Sequence, residues 1–226
     1  MNDIYSRRYV YLLGDHDPVS PNCRLGGNVK IGHGAVIEKD CVIGDEVTIG
    51  HHSVIEQGAT IGSGTIIKHG SIIESNCNLG KNVFIGHNSV LRNDVTIGDN
   101  SIVGHLVMTE ADAWLGKKTT IQSQCHITKF AKIDDHCFLG PKAMLINTMK
   151  ISHGRGFEPD LRGPHVNYAA RVGSGSIIMP GVIIGQNAVA GAGAVVTKNI
   201  PDFEIWFGNP AKFQYLVSKN EILEKK

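Results

Sequence analysis

Aliphatic residues return at every sixth position along most of the chain. Stepping by six from Val19 passes Leu25, Ile31, Ile37 and so on to Leu145, and 21 of these 22 positions hold Val, Ile or Leu, the exception being Thr109. After an interruption the step resumes at Val166, Val172, Ile178, Ile184, Ala190 and Val196. If each of these is position 1 of a hexad, position 5 carries a small or modest side chain, as in Ala35, Cys41, Val47, Ser53 and Ala59. Position 5 and the next position 1 lie two residues apart, on one side of an extended strand. Positions 2 to 4 supply Gly, Asn and Asp, residues suited to turns and to positive φ. Hairpin-linked strands vary in length, so an unbroken step of six over residues 19–145 argues against them. The pattern predicts a parallel β-helix of triangular section, with three hexads to a coil and coils stacked about 4.8 Å apart. The hexads make about nine such coils.

The expected organisation is an N-terminal cap over residues 1–18, a β-helix over 19–200 and a C-terminal extension over 201–226. One insertion breaks the repeat, "ISHGRGFEPDLRGPH" at residues 151–165. A solenoid carries such a segment as an external loop, and loops of this kind usually serve function. In the extension, "GNPAK" (residues 208–212) offers Asn209 as an N-cap and Pro210 as a first helical residue. Phe213, Leu216 and Ile222 then fall on one face, which predicts a helix covering the end of the stack.

Composition narrows the picture. A net charge of +1 over 226 residues gives no broad attraction to nucleic acid or to an anionic membrane, and 42% hydrophobic content is that of a folded chain. The apolar runs are too short to span a bilayer, and the start does not read as a signal peptide, so a soluble cytoplasmic protein is expected. Cys23, Cys41, Cys77, Cys125 and Cys137 all fall at position 5 and read as buried packing thiols rather than disulfides or zinc ligands. His33, His51, His69, His87 and His105 are spaced by eighteen residues at position 3, with Ser123 next in the series. They stack along one corner of the prism. Such a ladder is a solvated turn column, a lining for a cleft or subunit interface, or a set of imidazole metal ligands. No carboxylate or cysteine joins it regularly, and no metal is expected.

Two stretches go beyond the repeat. "IQSQCHITKFAKIDDHCFLGPKAMLIN" contains Ile121-Gln122-Ser123, Gly140-Pro141 and Asn147, and resembles the nucleotide-aminosugar N-acetyltransferases of the hexapeptide-repeat acyltransferase superfamily. "GSGSIIMPGVIIGQNAVAGAGAVVTKNIPDFEIWFGNPAKF" looks like the coenzyme A-binding end of acetyltransferases of that superfamily. The resemblance implies an all-β fold, a left-handed parallel β-helix. It implies a homotrimer with active sites between neighbouring prisms. The implied reaction moves an acetyl group from acetyl-CoA to the amine of a nucleotide-linked amino sugar.

Acetyl transfer needs a proton acceptor, donors for the developing oxyanion and an oriented acceptor. His153 in the loop and His126 on the strand beyond Ser123 are the candidate bases, and Asn147 can orient the amine. Gln122, Ser123 and Arg155 are the candidate substrate contacts. Gly191, Ala192 and Gly193 leave room for pantetheine, while Lys198, Lys212 and Arg171 are cations available to its phosphates. Other outcomes are an O-acetyltransferase, a longer-chain acyltransferase, a γ-type carbonic anhydrase or a scaffold without activity.

Overall fold

A computed structural model describes residues 10–12, 19–20 and 22–225. The expected cap over residues 1–18 lies outside the described residues, apart from the strand Val10–Leu12.

The hexads fold as their pattern requires. Strands of two residues follow one another at six-residue steps and pair in parallel with the strands one coil away, as Ile49 does with Ile31 and Ile67. Three sheets result, one of twelve strands and two of nine. In chain order they are called faces A, B and C here; Val29–Ile31 lies on A, Val36–Ile37 on B and Val42–Ile43 on C. The stack runs to about ten turns, because Val10–Leu12 and a terminal hairpin extend face A beyond the regular repeat.

The core is the position-1 column. Ile37, Ile55, Ile67, Ile73 and Ile85 have no exposed surface at all. Each such side chain contributes about 1.5–3 kcal/mol through burial. Position 5 fills the remaining space with Ala, Ser, Thr, Val and the five cysteines, all of them buried and free. Position 4 takes the left-handed conformation, as in Asn82 (φ 54°), Asn88 (φ 54°) and Asp94 (φ 62°). Asn and Asp tolerate that conformation best among side-chain-bearing residues.

The C-terminal helix is not formed. Glu204–Gly208 and Ala211–Leu216 are antiparallel strands, and Glu204–Gly208 also pairs in parallel with Val189–Ala190. The chain reverses at Asn209-Pro210, the residues read as a helix start. Ile205, Trp206, Phe207, Phe213 and Tyr215 are strand-favouring residues, and an open sheet edge on face A offers them hydrogen bonds that a helix would leave unused. Phe213 and Leu216, expected to share a buried helical face, are exposed at 50% and 63%. The only helical turn among the described residues of the extension is the short 3₁₀ segment Lys219–Glu221.

Candidate functional site

The corner between faces A and B holds the histidine ladder, and its bonding is now explicit. The backbone N–H groups of His33, His51 and His87 donate to Nδ1 of His51, His69 and His105 respectively, each at 2.8 Å. The rings of His51–His69 and His87–His105 stack with centroids 4.8 Å and 5.2 Å apart, and those of His69–His87 are tilted with centroids 5.0 Å apart. Each bonded imidazole therefore caps a turn of the coil before it, a structural role. Among the described residues, no group of three or more His, Cys, Asp or Glu converges to hold a metal.

Further along, the same corner changes character. The N–H of His105 still finds the Ser123 hydroxyl at 3.2 Å. The next occupants of position 3 are Pro141, Ser174 and Ala192. Pro141 and Ala192 carry no acceptor for the turn before them. Position 4 also opens. A Cβ on Gly34 or Gly70 would meet His52 or Asn88 at 2.4 or 2.3 Å, whereas one on Gly175 or Gly193 (both φ +67°) would meet nothing within 4 Å. Ser174–Gly175 and Ala192–Gly193 thus form a bare backbone ledge, and it includes the expected pantetheine contacts Gly191, Ala192 and Gly193. Where Gly191 approaches the terminal hairpin, its Cβ position lies 2.8 Å from the Phe207 Cβ.

The opposite edge of face B carries the titratable cluster. His126 projects outward from face B, and its Nε2 lies 3.2 Å from Oε1 of Glu110. The other Glu110 oxygen accepts from the Lys129 N–H at 2.8 Å and the Thr128 hydroxyl at 3.1 Å. Burial pushes the Glu110 carboxyl upward, but these two donors and His126 outweigh it and hold the group below its ordinary value. The Lys129 ammonium pairs with Asp112 at 3.1 Å. One coil on, Asn147 Nδ2 reaches the Lys129 carbonyl at 3.5 Å while its Oδ1 accepts from the Thr148 hydroxyl at 2.9 Å. Glu110, His126, Lys129 and Asn147 therefore share one corner over three coils.

The other expected residues scatter. Gln122 and Ser123 sit at the A/B corner, across face B from Asn147. His153 is exposed in the external loop, where its carbonyl accepts from Arg155 Nη1 at 2.8 Å. The loop folds back through Arg162, whose N–H donates to the Asn147 carbonyl at 2.8 Å, and it borders an open pocket of about 660 Å³ lined by Met149, Lys150, Phe157, Glu158, Arg162 and Pro180 among others. Lys198 and Lys212 are exposed. Arg171 is engaged, since its Nη1 holds Glu221 of the C-terminal tail at 2.9 Å. Glu110 escaped the sequence reading. Its signal was a second eighteen-residue series, Glu38, Glu56, Glu74 and, two coils later, Glu110.

The profile of the GMPPB C-terminal domain family matches residues 15–112, and that of the hexapeptide repeat of succinyl-transferase matches residues 170–198. A dTDP-3-amino-3,6-dideoxy-alpha-D-galactopyranose 3-N-acetyltransferase of Aneurinibacillus thermoaerophilus is 47% identical over 49 residues, which is 22% of this chain and 26% of that one. A galactoside O-acetyltransferase of Lactococcus lactis is 34% identical over 98 residues, 39% of this chain and 44% of that one. The chain thus spans less than half the length of these curated relatives. In fold it is similar to the UDP-N-acetylglucosamine acyltransferase from Campylobacter jejuni, with a TM-score of 0.54 and 18% identity over 87% of this chain and 73% of that one.

An all-β solenoid of parallel three-strand coils, matching a left-handed β-helix, is thereby defined. Its matches are to stretches of hexapeptide-repeat proteins, and in these stretches and in fold it resembles the hexapeptide-repeat acyltransferase superfamily.

Proposed function

We propose that the protein transfers an acetyl group from acetyl-CoA to the amine of a nucleotide-linked amino sugar. The observation that carries this reading is the bare ledge at Ser174–Gly175 and Ala192–Gly193, which borders face B along the edge opposite His126, Glu110 and Asn147. The ledge fits a pantetheine arm, since its turns lack the side-chain caps found on the earlier coils. Coils stack about 4.8 Å apart, so the ledge begins two coils, about 10 Å along the prism axis, beyond the His126 row, and across face B from it. Lys198 and Lys212 are cations free to meet phosphates, whereas Arg171 would first have to release Glu221. The amino-sugar acceptor is supported by the Aneurinibacillus relative, and a hydroxyl acceptor by the Lactococcus relative.

In the transfer, the neutral amine attacks the thioester carbonyl. A C–N bond forms, the C–S bond breaks, and the amine proton passes to a base while the thiolate leaves. His126 is the candidate held by a carboxylate, and His153 the candidate on the loop. Asn147, on the same corner as His126, is the residue proposed to orient the acceptor, whereas Gln122 and Ser123 lie across face B from it and Arg155 lies in the loop.

A homotrimer is part of the proposal. The outward column of face B reads Val36, Val54, Ile72, Val90 and Met108 before His126 interrupts it. Packing this apolar stripe against a second copy would bring His126 to the seam between prisms. Among the described residues no helix is long and apolar enough to cross a membrane.

The test incubates purified protein with acetyl-CoA and a panel of amino-sugar nucleotides, following thiol release and acetylated product. Acetylation at an amine is the expected result. Acetylation at a hydroxyl would transfer the assignment to O-acetylation, a preference for longer acyl donors would change the donor, and absence of coenzyme A binding by calorimetry would leave a scaffold.

A further inference from the structure

Glu110 repeats a device used elsewhere on its corner. Glu38, Glu56 and Glu74 each place an Oε2 at 3.0–3.1 Å from a backbone N–H nineteen residues onward, at Gln57, Ser75 and Asn93. These are turn caps. The capping oxygens of Glu56 and Glu74 also take the further contacts of those carboxylates. The spare valence of Glu56 Oε2 takes the Ser75 hydroxyl, and the Glu74 Oε2 that caps Asn93 also takes Arg92 at 3.5 Å. Glu110 alone in this series turns its second oxygen to an imidazole, and that imidazole is the one titratable side chain in the otherwise apolar outward column of face B from Val36 to Val195. A structural cap needs only Oε2; the Oε1–His126 contact is additional to it.

Resting on the acyl-transfer reading above, we propose that Glu110 is a positioning residue that fixes the His126 ring through Nε2 and leaves Nδ1 as the proton acceptor for the attacking nucleophile. A carboxylate at Nε2 selects the tautomer with hydrogen on that nitrogen, so the lone pair sits on Nδ1. His126 is half-buried, with its side chain 38% exposed, so an acceptor on face B can reach it. Charge balance is local. The nucleophile's N–H proton moves to Nδ1 as the C–N bond forms; the imidazolium faces the Glu110 carboxylate; Nδ1 then returns the proton to the departing thiolate. The neighbouring charges are accounted for, with Lys129 held by Asp112 and Arg92 by Glu74, while Met108 and Met144 flank His126 on the adjacent strands.

The experiment compares pH–rate profiles for wild type, Glu110→Gln, His126→Gln and the double variant, using acetyl-CoA and whichever amino-sugar nucleotide the panel identifies. Glutamine keeps an oxygen for the Lys129 N–H, so the turn cap survives. Glu110→Gln is expected to lower kcat about 10–100-fold and to move the acid limb to lower pH, because the charge favouring the imidazolium is gone. KM for acetyl-CoA should stay unchanged. His126→Gln should lower kcat about 10²–10⁴-fold, and the double variant no further, as expected for residues acting as a unit. Long-range ¹⁵N NMR of the unliganded wild type should show His126 with hydrogen on Nε2, a readout independent of turnover and of how the variants fold. A Glu110→Gln enzyme with wild-type rate and acid limb, or an Nδ1-protonated His126, overturns this inference while leaving acyl transfer standing. A wild type that transfers acetyl to no acceptor overturns both.

Discussion

Thr109 is the one polar residue in the first run of inward position-1 side chains, between Leu91 and Ile127 in the stack. It is wholly buried, and its hydroxyl finds no hydrogen-bond partner. Burying an unpaired hydroxyl costs about 1–3 kcal/mol, and an apolar residue of the same shape removes that cost without leaving a void. Thr109→Val should therefore raise stability by about 1 kcal/mol, a rise in Tm of about 2–4 °C for a chain of this size. Thermal unfolding of the two proteins checks it; a lower Tm would mean that the hydroxyl has a role the static structure does not show. The cysteines make the complementary point. They were legible as packing residues because the hexad put all five in the small inward slot, and burial pushes the Cys77 and Cys137 thiols up to about 12.

Among the elements, the histidine ladder carries a built-in pH dependence at His69. An imidazole whose Nδ1 accepts a backbone N–H must be neutral with hydrogen on Nε2, and protonation would set two donors against each other. His69 is held below its ordinary value of 6.5, first by desolvation and then by His51, His87, Lys68 and His52 around it. A depressed value in the folded state means that the unfolded chain binds the proton more readily. This contribution to stability is then complete above pH 6.5 and is lost as pH falls through the lower folded value. Tm should drop between pH 7.5 and pH 5, and His69→Asn should flatten that slope; equal slopes would separate the ladder from acid sensitivity. The ladder's spacing was plain in the sequence, but its purpose was not, because the bonding partner is a backbone group one coil away. The terminal hairpin was misread for a related reason. Asn209-Pro210 satisfies the local rules of a helix start, and only the free edge of face A favours a strand there.

For the whole molecule, the repeat made the solenoid, its three faces and its loop legible from position 1 and position 5 alone. The candidate site was half legible. Asn147, His126 and the glycine turns stood in recognisable stretches, whereas Glu110 lies in a plain hexad and meets His126 only after one full coil. This division suggests that the early coils supply stability and the later ones chemistry. Deleting residues 49–66, one complete coil, joins Thr48 to Ile67 with every column intact. The product should fold with a lower Tm, by the loss of one set of neighbour contacts, yet keep acetyl transfer within about threefold of wild type. A folded product without transfer would contradict the division.

The apolar stripe on face B also means that the chain is written in two nested frames. The core counts in sixes, but the surface counts in eighteens. Removing residues 73–78 would join Ile72 to Leu79 and leave every inward side chain in step. It would also turn everything before the junction by a third of a revolution against everything after it. Val36, Val54 and Ile72 would then no longer line up with Val90 and Met108, and the stripe proposed above as the seam between copies would be broken mid-sentence in a protein whose interior had registered no change.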